Sequence, residues 1–133
     1  MFEVTINRGR RIITFRASGN LTLAEMEKIL DEAKWATDGF KGQPHIVIAD
    51  MRGMATLSPE GQRIFAEIIR YGRSHGTICC VHLSDSSIHR LQANRLAREA
   101  SPYDDITVNV VSLEEAERVI EEKQAKLRPS APK

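Results

Sequence analysis

Phe2, Val4 and Ile6 alternate with polar residues, and Ile13 and Phe15 resume the alternation after Asn7-Arg8-Gly9-Arg10. A period of two marks a strand with one covered face, and a four-residue connection containing glycine suits a hairpin. Two antiparallel strands are therefore expected at the start. The spacing then becomes helical. Thr22 and Glu25 stand as a capping box, and Leu23, Met26, Leu30 and Ala33 recur along one face. That helix should stop between Trp35 and Thr37, ahead of Asp38-Gly39. His45 to Met51 is a continuous apolar run between Gln43-Pro44 and Arg52-Gly53, the pattern of a strand covered on both faces.

Ser58-Pro59-Glu60 is a strong helix start. Serine can cap the free amides, proline suits the first helical position, and glutamate favours the positive end of the dipole. Gly61, Ile64, Phe65, Ile68 and Gly72 supply an inner face up to His75-Gly76, and Thr77 to Leu83 reads as a second buried strand. A third helix from about Ser86 to Ala100 precedes Ser101-Pro102, and Ile106 to Val111 is the last strand. Ser112 and Glu115 form a second capping box, and Leu113, Ala116, Ile120 and Leu127 lie along a final helix. The order β-β-α-β-α-β-α-β-α predicts an α/β domain over residues 1–127 and a loose tail over 128–133. Right-handed crossovers make its sheet mixed but mostly parallel, with only the first strand reversed.

Composition narrows the function classes. A chain of 133 residues, 41% of them hydrophobic, can build one core without disulfides or a structural metal. Lys and Arg total 19 against 18 Asp and Glu, so no global field draws in nucleic acid or an anionic bilayer. No apolar run approaches the roughly 20 residues of a membrane span, and the opening lacks the pattern of a secretion signal. Cys79 and Cys80 are neighbours on a strand, so their side chains point to opposite faces. Two unpaired thiols suit a reducing cytoplasm. Neither G-x-G-x-x-G nor G-x-x-x-x-G-K occurs, which argues against a dinucleotide or nucleotide cofactor.

The element order, together with Ile46 to Gly76, resembles the STAS domain, the fold of anti-sigma factor antagonists and of the cytoplasmic ends of sulfate transporters. The likeness runs over residues 1–127. Its most specific part is an apolar strand ending in Asp50, a short loop through Gly53 to Leu57, the helix start Ser58-Pro59-Glu60-Gly61, and Gly72 to Gly76 before the next strand. In the antagonists this helix start carries an Asp-Ser pair whose serine is phosphorylated by the anti-sigma kinase. Here Ser58 stands in place of the aspartate and Pro59 in place of the phosphorylated serine. Proline has no hydroxyl, so the resemblance implies a divergent bacterial module without the usual phospho-switch. It also implies a protein partner, an anti-sigma factor or kinase-like regulator, and no catalysis.

Candidate residues fall into two groups. Ser58, Glu60, Thr56 and Arg95 are the partner-binding or regulatory candidates. Ser58 is either an N-cap or a phosphate acceptor, and Glu60 either a dipole partner or a partial mimic of phosphoserine. Arg95, with Arg90 and Arg98, gives the third helix a basic side that is either solvated or a docking surface. Asp50, Arg52, His82 and Asp85 follow strand ends, where ligands of open α/β sheets bind. They make a small-ligand pocket or a weak enzyme the alternative, a nucleotide or a lipid being the ligand classes. Asp50 and Arg52 are as readily a pair that satisfies the loop. His45 and His75 read as strand-edge and turn residues, and no tight metal signature is present. The first strand is also an edge to which a second copy could add, with Arg8, Arg10 and Arg11 opposing it.

Overall fold

The fold, taken from a computed structural model, is described for residues 2–55, 57–84 and 106–127. The alternating segments form strands β1 (Phe2–Asn7) and β2 (Ile12–Ala17), and the apolar runs form β3 (His45–Asp50) and β4 (Thr77–Leu83). Strand β5 is Thr107–Val110. The described helices are α1 (Leu23–Asp38), α2 (Pro59–Ser74) and α3 (Leu113–Leu127). The helix expected over 86–100, the tail at 128–133, and Thr56, Asp85 and Arg95 lie outside the described residues.

One five-stranded sheet runs β1-β2-β3-β4-β5 in space. Strand β1 is antiparallel to β2, and every later pair is parallel. The β2–β3 and β3–β4 pairs arise from crossovers that carry α1 and α2 over the sheet. Both faces are covered, as the unbroken apolar runs of β3 and β4 require. Ile12, Ile46, Cys79, Val81 and Leu83 pack with Ala116 and Ile120 of α3. Ile13, Val47, Ala49 and Cys80 face the layer of α1 and α2, meeting Met26, Ile29, Ala36 and Phe40. Neighbouring Cys79 and Cys80 thus serve opposite cores, as their strand placement predicts.

The local helix signals hold, and the inner faces need correction. Thr22 and Glu25 cap α1 reciprocally, and Ser58 caps α2 ahead of Pro59. At α3 the Ser112 hydroxyl accepts from the Glu115 amide, but the Glu115 carboxylate reaches back to the Val111 amide. Leu23 and Leu113, expected on inner faces, are both exposed. Each is the first helical residue, where the side chain points off the helix end rather than onto the sheet. Ile29, Ala36 and Thr37 take the buried positions of α1 instead. On α2, Ile64, Phe65 and Ile68 are only part-buried, and Ala66 and Ile69 lie deeper.

His45 corrects a second expectation. It is the first residue of β3 yet wholly buried, stacked on Phe40 with ring centroids 4.8 Å apart. Its Nδ1 donates to the Gln43 carbonyl at 2.9 Å, and its Nε2 accepts from the Thr77 hydroxyl at 2.8 Å. These two bonds select the neutral ring. Thr77 reaches it because Ile78 bulges: His45 pairs with Thr77, but Ile46 pairs with Cys79. Gly76, at φ +104°, makes the turn into β4 with no room for a Cβ, which would sit 2.7 Å from the Gln43 and Gly42 carbonyl oxygens.

Burial lowers the His45 pKa below its ordinary value, the Gln43 carbonyl opposing it in part. A folded-state pKa below the unfolded one means that the unfolded chain binds more protons. His45 therefore favours the native state fully above about pH 6.5, and this is lost progressively as pH falls below that value. Chemical denaturation at pH 7.5 and 5.5 should show wild type losing more stability across the interval than His45→Gln. An equal loss in both proteins contradicts the assignment.

Candidate functional site

Strand β3 ends in a carboxylate. Asp50 is 7% exposed, and a buried charge is tolerated only when paired and hydrogen-bonded. Arg52 supplies the pairing two residues later: Nε donates to Oδ1 at 2.9 Å and Nη2 to Oδ2 at 2.8 Å. The Arg52 amide also donates to Oδ1 at 3.3 Å, and Arg16, in register on β2, lies 3.6 Å from Oδ2. The guanidinium bonds hold the Asp50 carboxyl below its usual range against the desolvation that would raise it.

The clamp sets the direction of the β3–α2 loop. Gly53 turns it at φ +76°, and the loop then runs beside the end of β2. The Gly19 amide donates to the Gly53 carbonyl at 2.8 Å, and the Ala55 amide to the Gly19 carbonyl at 3.0 Å. Met54 thereby makes a parallel bridge with Gly19. Met51, Met54 and Leu57 are buried beneath the loop. The next stretch of backbone is displayed: Ser58, Pro59 and Glu60 are all exposed. The Ser58 hydroxyl accepts from the Gly61 amide at 3.1 Å, a cap whose contribution is about 1 kcal/mol.

The predicted site residues separate into places. Ser58 and Glu60 share the exposed helix start, and Asp50 and Arg52 form the clamp below it. His82 does not join that clamp. It pairs in register with Ala49 and faces the α1 and α2 layer, where its ring meets Phe65 edge-on at 5.8 Å. Asp50 shares the register of Arg16, on the opposite side of the sheet. Among the described residues no group of His, Cys, Asp and Glu is placed to hold a metal ion. No described helix is long and apolar enough to cross a membrane.

Two spaces adjoin this region. A polar cleft of about 400 Å³ is bordered by Glu3, Arg16, Ser18, Asp50 and Arg52. An apolar cavity of about 70 Å³ lies between the sheet and the α1 and α2 layer, walled by Phe15, Met26, Met51, Met54 and Phe65 among others. Sequence reasoning missed the part of Gly19 and Arg16, because both act through neighbours distant in sequence. It missed the cavity because apolar periodicity reports which residues turn inward and not whether they fill the space.

A likeness to solved structures accords with this architecture. The phosphorylated form of the Bacillus cell fate determinant SpoIIAA superposes with a TM-score of 0.62 at 18% identity, covering 90% of this chain and 99% of that one. The chain has a STAS-like fold. By sequence it matches no family model and no curated protein. The fold expected from the β3–α2 region is thus present, with one antiparallel strand pair and parallel pairs after it.

Proposed function

We propose that this chain is a non-catalytic regulatory module that docks a protein partner through the loop and helix start at residues 51–61. The observation that carries the reading is the contrast between a fixed loop and an exposed helix start. The loop is bonded to Gly19 on one side and rooted by Met54 and Leu57 on the other, and Ser58, Pro59 and Glu60 stand clear of the core. A surface held in one conformation loses little entropy on binding, which favours recognition. Thr56 belongs to the same loop and Arg95 to the helix expected beside it, and both are assigned to the docking surface.

SpoIIAA has been solved phosphorylated, and the antagonist resemblance puts Pro59 where the modified serine stands. The module proposed here therefore works without a phosphate at that position. Glu60 supplies a constant negative charge beside it, and Ser58 is spent on the cap. The partner class is an anti-sigma factor or kinase-like regulator in a bacterial cytoplasm. A polar ligand beside Asp50 and Arg52 is the weaker reading, because those two charges already answer one another. A photo-crosslinking residue at position 60 should capture one protein from the native cytoplasm, and the same residue at Arg118 on α3 should not. Equal capture from both positions, or none from position 60, overturns the docking surface.

A second copy has one clear place to add. The outer edge of β1 has no neighbour in the described sheet, and Phe2, Val4 and Ile6 are only part-buried. Antiparallel pairing centred on Val4 sets Glu3 against Thr5 and opposes no like charges. Sedimentation should show a dimer for wild type and a monomer for Thr5→Glu, which sets a carboxylate against Glu3 at both ends. A wild-type monomer at high concentration removes this pairing.

A further inference from the structure

We propose that the apolar cavity beneath the β3–α2 loop is a binding site for a slender uncharged alkyl molecule. The space is several times the roughly 10–15 Å³ that one water needs. Its walls offer a water almost nothing to bond, and such cavities stay dry or take apolar guests. Met26, Met51 and Met54, three of the four methionines in the chain, line it with Phe15 and Phe65. Thioether side chains are flexible and polarisable, so they fit themselves around a chain-like guest.

The rim sets both the way in and the charge of the guest. Phe2, Val4, Ala17 and Leu21 line the cavity and are part-exposed, which opens it between β1 and the β2–α1 connection. Glu3, Arg16 and Asp50 adjoin it only from strand positions that belong to the other face of the sheet, so no carboxylate or guanidinium faces the guest. A charged end would be desolvated there without an ionic partner. Met51, Met54 and Leu57 belong at once to the cavity wall and to the underside of the loop. A guest therefore touches the loop from below. That contact bears on docking only through the function proposed above, whereas binding stands independently of it.

The test is a titration of the full chain, labelled at its methionine methyls, with 1-butanol, whose four-carbon chain matches a space of about 70 Å³, and with butyrate at pH 7. Butanol should shift the Met51 and Met54 methyl resonances saturably, and butyrate should bind at least about tenfold more weakly. Ala49→Leu fills the cavity from β3 and should abolish the shifts. Ala17→Leu, at the open side, serves the same purpose if the first variant does not fold. The site is overturned by absence of saturable shifts in wild type, by butyrate binding as tightly as butanol, or by wild-type affinity in a folded filled variant. Loss of crosslinking at position 60 with butanol binding intact would remove the docking surface and leave the cavity site in place.

Discussion

On a strand buried from both sides, a charged group survives only at the strand's end and only with its charge answered. Asp50 meets both conditions through the paired guanidinium bonds of Arg52 and the nearby Arg16. The return of Arg52 toward Asp50 turns the chain immediately after β3. Three features of the next segment depend on that turn: the bridge to Gly19, the burial of Met54 and Leu57, and the position at which α2 begins. The exposed residues at Ser58 to Glu60 thus inherit their place from a carboxylate that is itself almost wholly covered.

The two covered faces carry different tolerances. Toward α3, branched side chains from β2, β3 and β4 close tightly on Ala116 and Ile120. Toward α1 and α2, methionine and phenylalanine predominate around a space they do not fill. The N-terminal hairpin is nevertheless secured to the far helix. Arg10 bonds Glu117 through both terminal nitrogens, and Gln124 donates to the Arg10 carbonyl at 2.7 Å. Helices α1 and α2 are joined at their C-terminal ends, where the Tyr71 hydroxyl donates to Asp38 at 2.5 Å. The layer is therefore fastened at that end of its helices, while the open space lies under the loop.

Much of this was legible in the chain because it is local. Ser58-Pro59-Glu60 and Thr22 with Glu25 specify helix starts within four residues, and the apolar runs of β3 and β4 declare burial on both faces. The resemblance that led to the fold rested on the same β3–α2 stretch. The features that escaped depend on residues far apart. His45 is buried because Phe40 stacks on it and the Ile78 bulge delivers Thr77 to its ring. Asp50 and His82 lie near the ends of neighbouring strands, yet the register pairs His82 with Ala49 and so puts it on the face opposite Asp50. The clamp needs Arg16 from another strand, and the loop needs Gly19, neither marked by any motif.

If the Asp50 clamp fixes the loop, its removal should free the bonds between the loop and Gly19 before it disturbs the sheet. Amide hydrogen exchange reads this directly at Gly19 and Ala55, whose amides donate to Gly53 and Gly19. Asp50→Ala should lower protection at both amides by about tenfold or more while leaving that of Val47, in the middle of β3, unchanged. Undiminished protection at Gly19 and Ala55 in a folded Asp50→Ala protein would contradict the account.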